Sequence, residues 1–217
     1  YVQAAMLAER AAKLDAERWA VVAPNYEYGQ SAVKAFKQLL KEKRPEVTFV
    51  EEQWPPLFKI DAGAVAQAID RSEPDAIFNV TFGSDLVKFV REGTTRGVFQ
   101  DRRVVSLLTG EPEWMNPLGG DVPEGWIVTG YPWDTLDTER HQSFRKSYEE
   151  KFDEPPRMGS VVGYTSLKAL AKAIEIAGTT DSAEVAAAMR GMSLPSPFGE
   201  ITFRASDQQS TMGTFVG

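Results

Sequence analysis

The side chains best suited to binding a small molecule occur in three short loops, each of which follows an apolar segment. The loops are residues 26–29, 81–84 and 109–113. Tyr28 offers an aromatic face and a hydroxyl group. Glu111 offers the carboxylate that a buried ammonium group would require. These residue types predict recognition of a small organic ligand.

The signatures of common catalytic and metal sites are absent from the sequence. There is no Gly-x-Ser-x-Gly, His-Glu-x-x-His, EF-hand or Gly-x-Gly-x-x-Gly pattern. His141 is the only histidine, and its polar neighbours on a predicted helix favour a solvated side chain. Acidic pairs without accompanying histidines are typical of solvated surfaces; here they are Glu51 and Glu52, Glu111 and Glu113, and Glu149 and Glu150. We therefore predict no enzyme activity, no catalytic residue, no metal and no cofactor.

Three predicted βα units position the candidate loops. Each pairs a strand and its loop with a helix, in the order 19–29 with 31–43, 47–54 with 63–70, and 75–81 with 84–92. This alternation predicts an α/β fold with a parallel sheet flanked by helices. Ligands bind at the carboxyl ends of the strands in such sheets, so we expect the three loops to share one edge.

The second half of the chain is predicted to be mainly helical. Helices are expected at residues 140–152, 160–177 and 183–189, followed by a turn and a strand at 195–203. Gly178 stands where the second of these helices should end in a left-handed C-cap.

Composition excludes several classes of partner. The chain has 217 residues, of which 42% are hydrophobic and 25% charged, with a net charge of −7. It has no basic stretch interleaved with aromatics, which argues against nucleic acid as a partner. There is no apolar run of membrane-spanning length and no signal-peptide pattern. The absence of cysteine excludes disulfides and Cys-x-x-Cys chemistry.

Four blocks of the sequence together carry a family resemblance. They are Val-Val-Ala-Pro-Asn-Tyr-Glu-Tyr-Gly-Gln at 21–30, Glu-Pro-Asp-Ala-Ile-Phe at 73–78, Gly-Ser-Val-Val-Gly-Tyr at 159–164, and Ala-Leu-Ala-Lys-Ala-Ile-Glu-Ile-Ala-Gly at 169–178. In order and spacing, over nearly the whole chain, the set resembles the periplasmic substrate-binding proteins of branched-chain amino acid type ABC transporters. The resemblance implies a type I periplasmic binding protein fold, with two Rossmann-like lobes joined by three crossovers and a ligand held between them.

The resemblance also implies a domain organisation. Residues 1–18 are expected to be a helix from the end of a truncated amino-terminal lobe, and residues 19–130 a Rossmann-like carboxy-terminal lobe. Residues 131–205 would be a crossover and helices of the amino-terminal lobe, and residues 206–217 the return to the carboxy-terminal lobe. An apolar stripe along the helix 160–177 would then be exposed, unless the helices fold back or a dimer covers them; it consists of Val161, Tyr164, Leu167, Ala171 and Ile174.

In the resembling family, the aromatic residue before the glycine of the first loop commonly faces the cleft between the lobes. This places Tyr28 against the ligand, although Tyr26 and Tyr28 could instead only cap the sheet edge. Phe82, which precedes Gly83 after the third predicted strand, stands where amino acid binders of the family often carry a tyrosine, so the missing hydroxyl favours an apolar or aromatic part of the ligand. Ser84 is predicted to cap the helix that follows.

The third loop admits two registers. If Glu111 occupies the family's acidic position, an amino acid ligand is expected; if Thr109 does, a neutral or carboxylate ligand is expected. Trp114 would line the mouth of the site or pack beneath the loop. Tyr131 would contact the ligand from the hinge side or pack between lobes. The predicted ligand-binding residues are Tyr28, Phe82, Gly83, Thr109, Gly110, Glu111 and Tyr131.

The function implied by the resemblance is that of an extracytoplasmic solute-binding component of an ABC transporter. The ligand would be an amino acid or an aromatic or aliphatic carboxylate, and the partner an ABC permease in the inner membrane. The protein would be exported to the periplasm, with no direct membrane insertion and no nucleic-acid partner. The alternative is a ligand-sensing receptor or regulator of the same fold that acts on a partner protein.

Overall fold

The structure, a computed structural model, describes residues 1–217 and divides into two compact units. One consists of Tyr1–Gly130 with Phe215–Gly217, and the other of Tyr131–Thr214. We call them the sheet unit and the helical unit.

The sheet unit alternates strands and helices along most of its length. Its elements are α1 (Val2–Ala11), β1 (Arg18–Val22), α2 (Glu27–Lys43), β2 (Thr48–Gln53), α3 (Ala62–Arg71), β3 (Ala76–Asn79), α4 (Gly83–Thr95), β4 (Arg103–Gly110), α5 (Pro112–Met115), a 3-10 turn (Gly119–Asp121), and β5 (Ile127–Gly130). The helical unit contains α6 (Glu139–Phe152), α7 (Met158–Ala177), α8 (Ser182–Ala188), β6 (Ser193–Ser196) and β7 (Gly199–Thr202), after which β8 (Phe215–Val216) returns to the sheet unit. None of these helices combines the length and apolar character needed to span a membrane.

The sheet has six strands in the order β2-β1-β3-β4-β5-β8. The first five are mutually parallel, and β8 pairs antiparallel with β5. The predicted α/β fold with a parallel sheet is confirmed, and β8 adds an antiparallel strand at one edge. Parallel strands need crossovers, which the intervening helices supply here.

Both faces of the sheet are covered, and strand β1 shows how the sequence achieves this. Trp19 and Val21 belong to the apolar cluster formed with α1 and α2, whereas Ala20 and Val22 belong to the cluster formed with α3 and α4. All four side chains are fully buried. Successive side chains of a strand point to opposite faces, so a continuous apolar run is what a strand buried on both faces requires.

Helix α1 corrects the domain organisation implied by the resemblance. Residues 1–18 were expected to form a helix of the amino-terminal lobe. Instead α1 ends at Ala11, and its buried Leu7 and Ala8 lie in the same core cluster as Phe36 and Leu40 of α2. The apolar stripe of this helix is therefore satisfied by the sheet unit itself.

The helical unit is built around one face of α7. Ala169 and Ala173 pack with Val185 of α8 and with Leu194 and Ile201 of the β6–β7 hairpin. The hairpin replaces the turn and single strand predicted at 195–203, because residues 193–196 form a further strand that pairs in register with 199–202.

The C-cap predicted for α7 is present, whereas the apolar stripe predicted along this helix is exposed only in part. The helix ends at Gly178 with φ +66°, as the C-cap prediction required. Tyr164 and Leu167 of the predicted apolar stripe are exposed, whereas Val161 is fully buried. Other large apolar side chains of this helix are also exposed, namely Val162, Leu170 and Ile176.

Candidate functional site

The three candidate loops meet at one edge of the sheet unit. Strands β1, β3 and β4 run parallel, and the loops that leave their carboxyl ends lead into α2, α4 and α5. Ring contacts join Tyr28 to Phe82 and Phe82 to Trp114 across the three loops. The expectation that the loops share one edge is therefore confirmed.

Phe82 is the centre of a group of five aromatic side chains. Its ring centroid lies 6.5 Å from that of Tyr26, 6.1 Å from Tyr28, 5.7 Å from Phe58 and 6.0 Å from Trp114. These separations are typical of edge-to-face and tilted aromatic pairs. We call these five residues the aromatic cluster. None of them is fully buried, so ring surface remains available to a ligand.

The start of α4 explains how rings from different loops come so close. Gly83 has φ +60°, a conformation that glycine adopts without steric cost. A Cβ atom there would lie 3.3 Å from Cε1 of Phe58 and 3.8 Å from Cζ3 of Trp114. The predicted helix cap at Ser84 is wrong, because α4 begins at Gly83 and Phe82 is the N-cap residue.

Tyr28 lies in the first turn of α2, which begins at Glu27. Its hydroxyl oxygen is buried and has no hydrogen-bond partner. Burial raises the pKa of Tyr28, and the nearby Tyr26 and Glu111 raise it further. A buried hydroxyl without a partner costs free energy, and a ligand atom can supply the missing hydrogen bond.

Glu111 follows an irregular end of strand β4. Ser106 pairs with Val128, but the next paired residue is Gly110, so residues 107–109 form a bulge against β5. Leu108 within this bulge has φ +63°, and its carbonyl accepts a hydrogen bond from the backbone N–H of Glu111. Bulges of this kind redirect side chains next to functional sites. Here the bulge delivers Glu111 to the N-cap position of α5.

The carboxyl of Glu111 is poised to change charge near neutral pH. Burial raises its pKa to about 7, and the neighbouring Glu113 acts in the same direction. The Trp114 indole N–H lies close enough to oppose this rise, but it makes no well-aligned hydrogen bond. At neutral pH the group can therefore donate a hydrogen bond as an acid or accept one as a carboxylate.

We expect Glu111→Gln to stabilise the protein at high pH. The folded state holds this proton more tightly than the unfolded chain, so the native form loses stability as pH rises from about 4.5 to about 7. With allowance for residual solvent contact, the variant should gain about 1 to 2 kcal/mol in unfolding free energy above pH 8 and almost nothing near pH 4.5. Denaturant titration at both pH values measures this, with the exposed Glu124→Gln as control. Equal stability of wild type and E111Q at high pH would contradict it.

Thr109 and Gly110 are both engaged in contacts within the sheet. The Thr109 hydroxyl lies 2.5 Å from that of Ser106, which accepts a hydrogen bond of 2.7 Å from the Asn79 amide. Asn79 in turn accepts from the Thr81 hydroxyl at 2.7 Å. This buried network ties the ends of β3 and β4 together. Gly110 pairs with Gly130 of β5. The two registers considered for the third loop placed either Thr109 or Glu111 at the acidic position of the family. In the structure, Glu111 lies near Tyr28.

Two long helices begin at the aromatic cluster without side-chain caps. The N-cap residues of α2 and α4 are Tyr26 and Phe82, and neither side chain accepts a hydrogen bond from the helix. By contrast, Asp61 caps α3 by accepting from the N–H of Ala64. Uncapped N-termini carry unsatisfied N–H groups and partial positive charge, which favour an anionic group.

Tyr131, the remaining predicted site residue, lies in the helical unit. Its ring is buried, and its hydroxyl is 2.6 Å from Nε2 of His141. Nδ1 of His141 lies 3.1 Å from the carbonyl of Leu136, which can only accept, so Nε2 of the neutral ring accepts from Tyr131. The predicted solvated position of His141 is wrong. Burial lowers the pKa of this histidine, because it sits on the one inward face of an otherwise polar helix.

The sequence prediction missed Phe58. It lies between β2 and α3, in a loop that leaves the sheet at the same edge as the loop after β1. An aromatic residue after Pro55-Pro56 was the available signal. No group of three or more His, Asp or Glu side chains is arranged to hold a metal ion.

The sheet topology defines an α/β lobe with the candidate site at the carboxyl edge of its sheet. The chain belongs to the periplasmic binding protein family, whose sequence profile matches residues 1–217. The resemblance inferred from sequence is thereby confirmed. The family consists of binding proteins, in agreement with the prediction that the chain is not an enzyme. No curated protein matches the chain in sequence.

Solved structures of transport proteins share this fold. An amino acid ABC transporter substrate-binding protein from Pseudomonas fluorescens Pf-5 has a TM-score of 0.86 at 23% identity, covering 99% of this chain and 58% of its own. A solute-binding protein from Rhodopseudomonas palustris HaA2, in complex with p-hydroxybenzoic acid, has a TM-score of 0.86 at 24% identity, covering 99% and 59%. A leucine-binding protein from Thermotoga maritima MSB8 has 0.84 at 22%, covering 99% and 61%. The chain thus spans 58% to 61% of the length of these proteins.

Proposed function

We propose that the protein is the extracytoplasmic solute-binding component of an ABC transporter. It captures a small organic ligand at the carboxyl edge of the sheet and presents it to a permease in the inner membrane. The observation that carries the proposal is the aromatic cluster with the partnerless hydroxyl of Tyr28 and the buried carboxyl of Glu111 beside it. Aromatic side chains combined with a few well-placed polar groups are typical of small-molecule recognition.

The ligand class that fits this edge is a small carboxylate with an aromatic ring or another rigid apolar group. The rings of Tyr28, Phe82 and Trp114 offer surface for stacking. The uncapped starts of α2 and α4 leave backbone N–H groups that can donate to the carboxylate of the ligand, beside the acidic Glu27 and Asp85 of the same first turns. Glu111, when protonated, can donate a hydrogen bond to a neutral polar substituent. The p-hydroxybenzoic acid complex of the Rhodopseudomonas palustris protein supports this choice, and the leucine-binding protein keeps an amino acid as the second ligand class.

The helical unit belongs, in this proposal, to a second lobe. Its open groove of about 830 Å³ is lined by Phe144 and Tyr164 and by the β6–β7 hairpin. The large apolar side chains on the outer face of α7, such as Leu167 at 70% exposure, are those that further strands of such a lobe would cover. Residues 131–205 would then serve that lobe, and residues 206–217 would return the chain to the sheet unit. Export to the periplasm is part of this proposal, and no observation favours the regulator alternative.

A thermal-shift screen of the complete gene product tests the proposal. The panel is 4-hydroxybenzoate, benzoate, short aliphatic acids and leucine. A ligand at about 100 times its dissociation constant stabilises the native state by about 2.7 kcal/mol, which raises the melting temperature measurably. We expect the largest shift with an aromatic carboxylate. A shift with leucine alone would assign the site to amino acids, and no shift with any compound would contradict a solute-binding function.

A further inference from the structure

Phe58 combines an unfavourable backbone conformation with an exposed ring. Its φ is +59°, in the left-handed region that bulky residues rarely adopt, and its side chain is 52% exposed. The half-exposed ring gains only part of the burial that a core phenylalanine provides, so the unfavourable backbone is not explained by packing alone. Residues held in such conformations occur preferentially at ligand-binding sites, where the surrounding structure enforces them.

The surrounding structure does enforce this conformation. On one side of Phe58, the Pro55 carbonyl accepts a hydrogen bond of 2.8 Å from the backbone N–H of Asn25, which immediately precedes the first candidate loop. On the other side, the N–H of Ile60 donates to the buried carboxylate of Asp85 in α4 at 3.3 Å. The loop is thus tied to the elements that begin at the aromatic cluster.

The ring is held against the centre of that cluster. It meets Phe82 edge-on, with an interplanar angle of 86°, and its Cε1 occupies the space that a side chain on Gly83 would need. The loop and the glycine together place an exposed phenyl edge at the outer side of Phe82. A phenyl group whose only role was to fill a surface gap would need neither the two tethers nor the left-handed backbone.

We propose that Phe58 contacts the ligand as the outer aromatic wall of the site and favours ligands that carry a ring over flexible aliphatic ones. This inference rests on the proposed function. Because the ring is fixed before the ligand arrives, contact with it costs little further ordering of the side chain. A planar ligand ring can pack edge or face against it, whereas an aliphatic chain gains less from such a fixed aromatic surface.

Titration calorimetry on the complete gene product, with 4-hydroxybenzoate and leucine as probes, tests this role. The variants are Phe58→Ala and Phe58→Gly. Glycine relieves the left-handed backbone, so the second variant keeps a folded protein even if alanine destabilises the loop. Phe152→Ala is the matched control, because Phe152 is a phenylalanine of nearly the same exposure (53%) in the helical unit.

We expect both Phe58 variants to bind 4-hydroxybenzoate at least about fivefold more weakly, with a smaller change for leucine and none for Phe152→Ala. Wild-type affinity for 4-hydroxybenzoate in both Phe58 variants would overturn the inference and leave the proposed function standing. Equal weakening for both probes would overturn the selectivity. If the wild type binds neither probe, the inference falls together with the proposed ligand class.

Discussion

Replacing Gly29 by alanine is expected to lower the unfolding free energy by about 2 kcal/mol and to weaken ligand binding. A Cβ atom at this position would lie 2.1 Å from the Pro24 carbonyl oxygen, a backbone atom that cannot move alone. Overpacking of this kind costs about 3 kcal/mol, from which the better helix propensity of alanine recovers about 1 kcal/mol. Relief of the clash must shift the first turn of α2, which carries Tyr28.

Gly63→Ala is the matched control for this prediction. Gly63 also lies in the first turn of a helix, α3, but a Cβ there would have its nearest neighbours at 3.5 Å, which is ordinary contact. That variant should be as stable as the wild type or slightly more so. Chemical denaturation of both variants measures the difference. The explanation would be wrong if Gly29→Ala were as stable as Gly63→Ala.

Phe82→Ala should have the largest effect on binding of any single change at the site. It removes the ring that contacts the other four members of the aromatic cluster. We expect a loss of about 2 kcal/mol in stability, less than for a fully buried phenylalanine, and a fall in ligand affinity of at least about thirtyfold. Calorimetric titration and denaturant unfolding provide the two measurements.

Phe99→Ala separates the two effects of that change. Phe99 is also partly buried and packs against Phe89 and Trp126, on the side of the sheet unit formed with α3 and α4. Its removal should cost similar stability while leaving the affinity unchanged. If Phe99→Ala weakened the ligand as much as Phe82→Ala, the loss would reflect general destabilisation, and Phe82 would lose its place in the site.

The regular parts of the sheet unit could be predicted because apolar periodicity reports burial. The run that starts at Trp19 predicted a short buried strand, and the strand–helix alternation predicted the parallel sheet and its carboxyl edge. Helix α1 was assigned to the wrong unit, because an amphipathic pattern shows that one face is buried but not which partner buries it.

The irregular parts of the site could not be predicted in the same way. The bulge before Glu111 depends on the pairing of β4 with β5, and the position of Phe58 depends on tethers to Asn25 and Asp85. Both are contacts between residues distant in sequence, so no local pattern reports them. His141 was misplaced for the same reason, since its partner Tyr131 lies outside its own helix.

The most direct test of the central claim is the effect of Tyr28→Phe on stability and on affinity. Removing a buried hydroxyl without a partner should raise the unfolding free energy of the ligand-free protein by about 1 kcal/mol. If the ligand supplies the missing hydrogen bond, the same change should weaken binding about tenfold. Opposite signs for the two effects are what the proposed site predicts. Unchanged affinity in a stabilised Tyr28→Phe protein would contradict the assignment of this edge of the sheet as the ligand site.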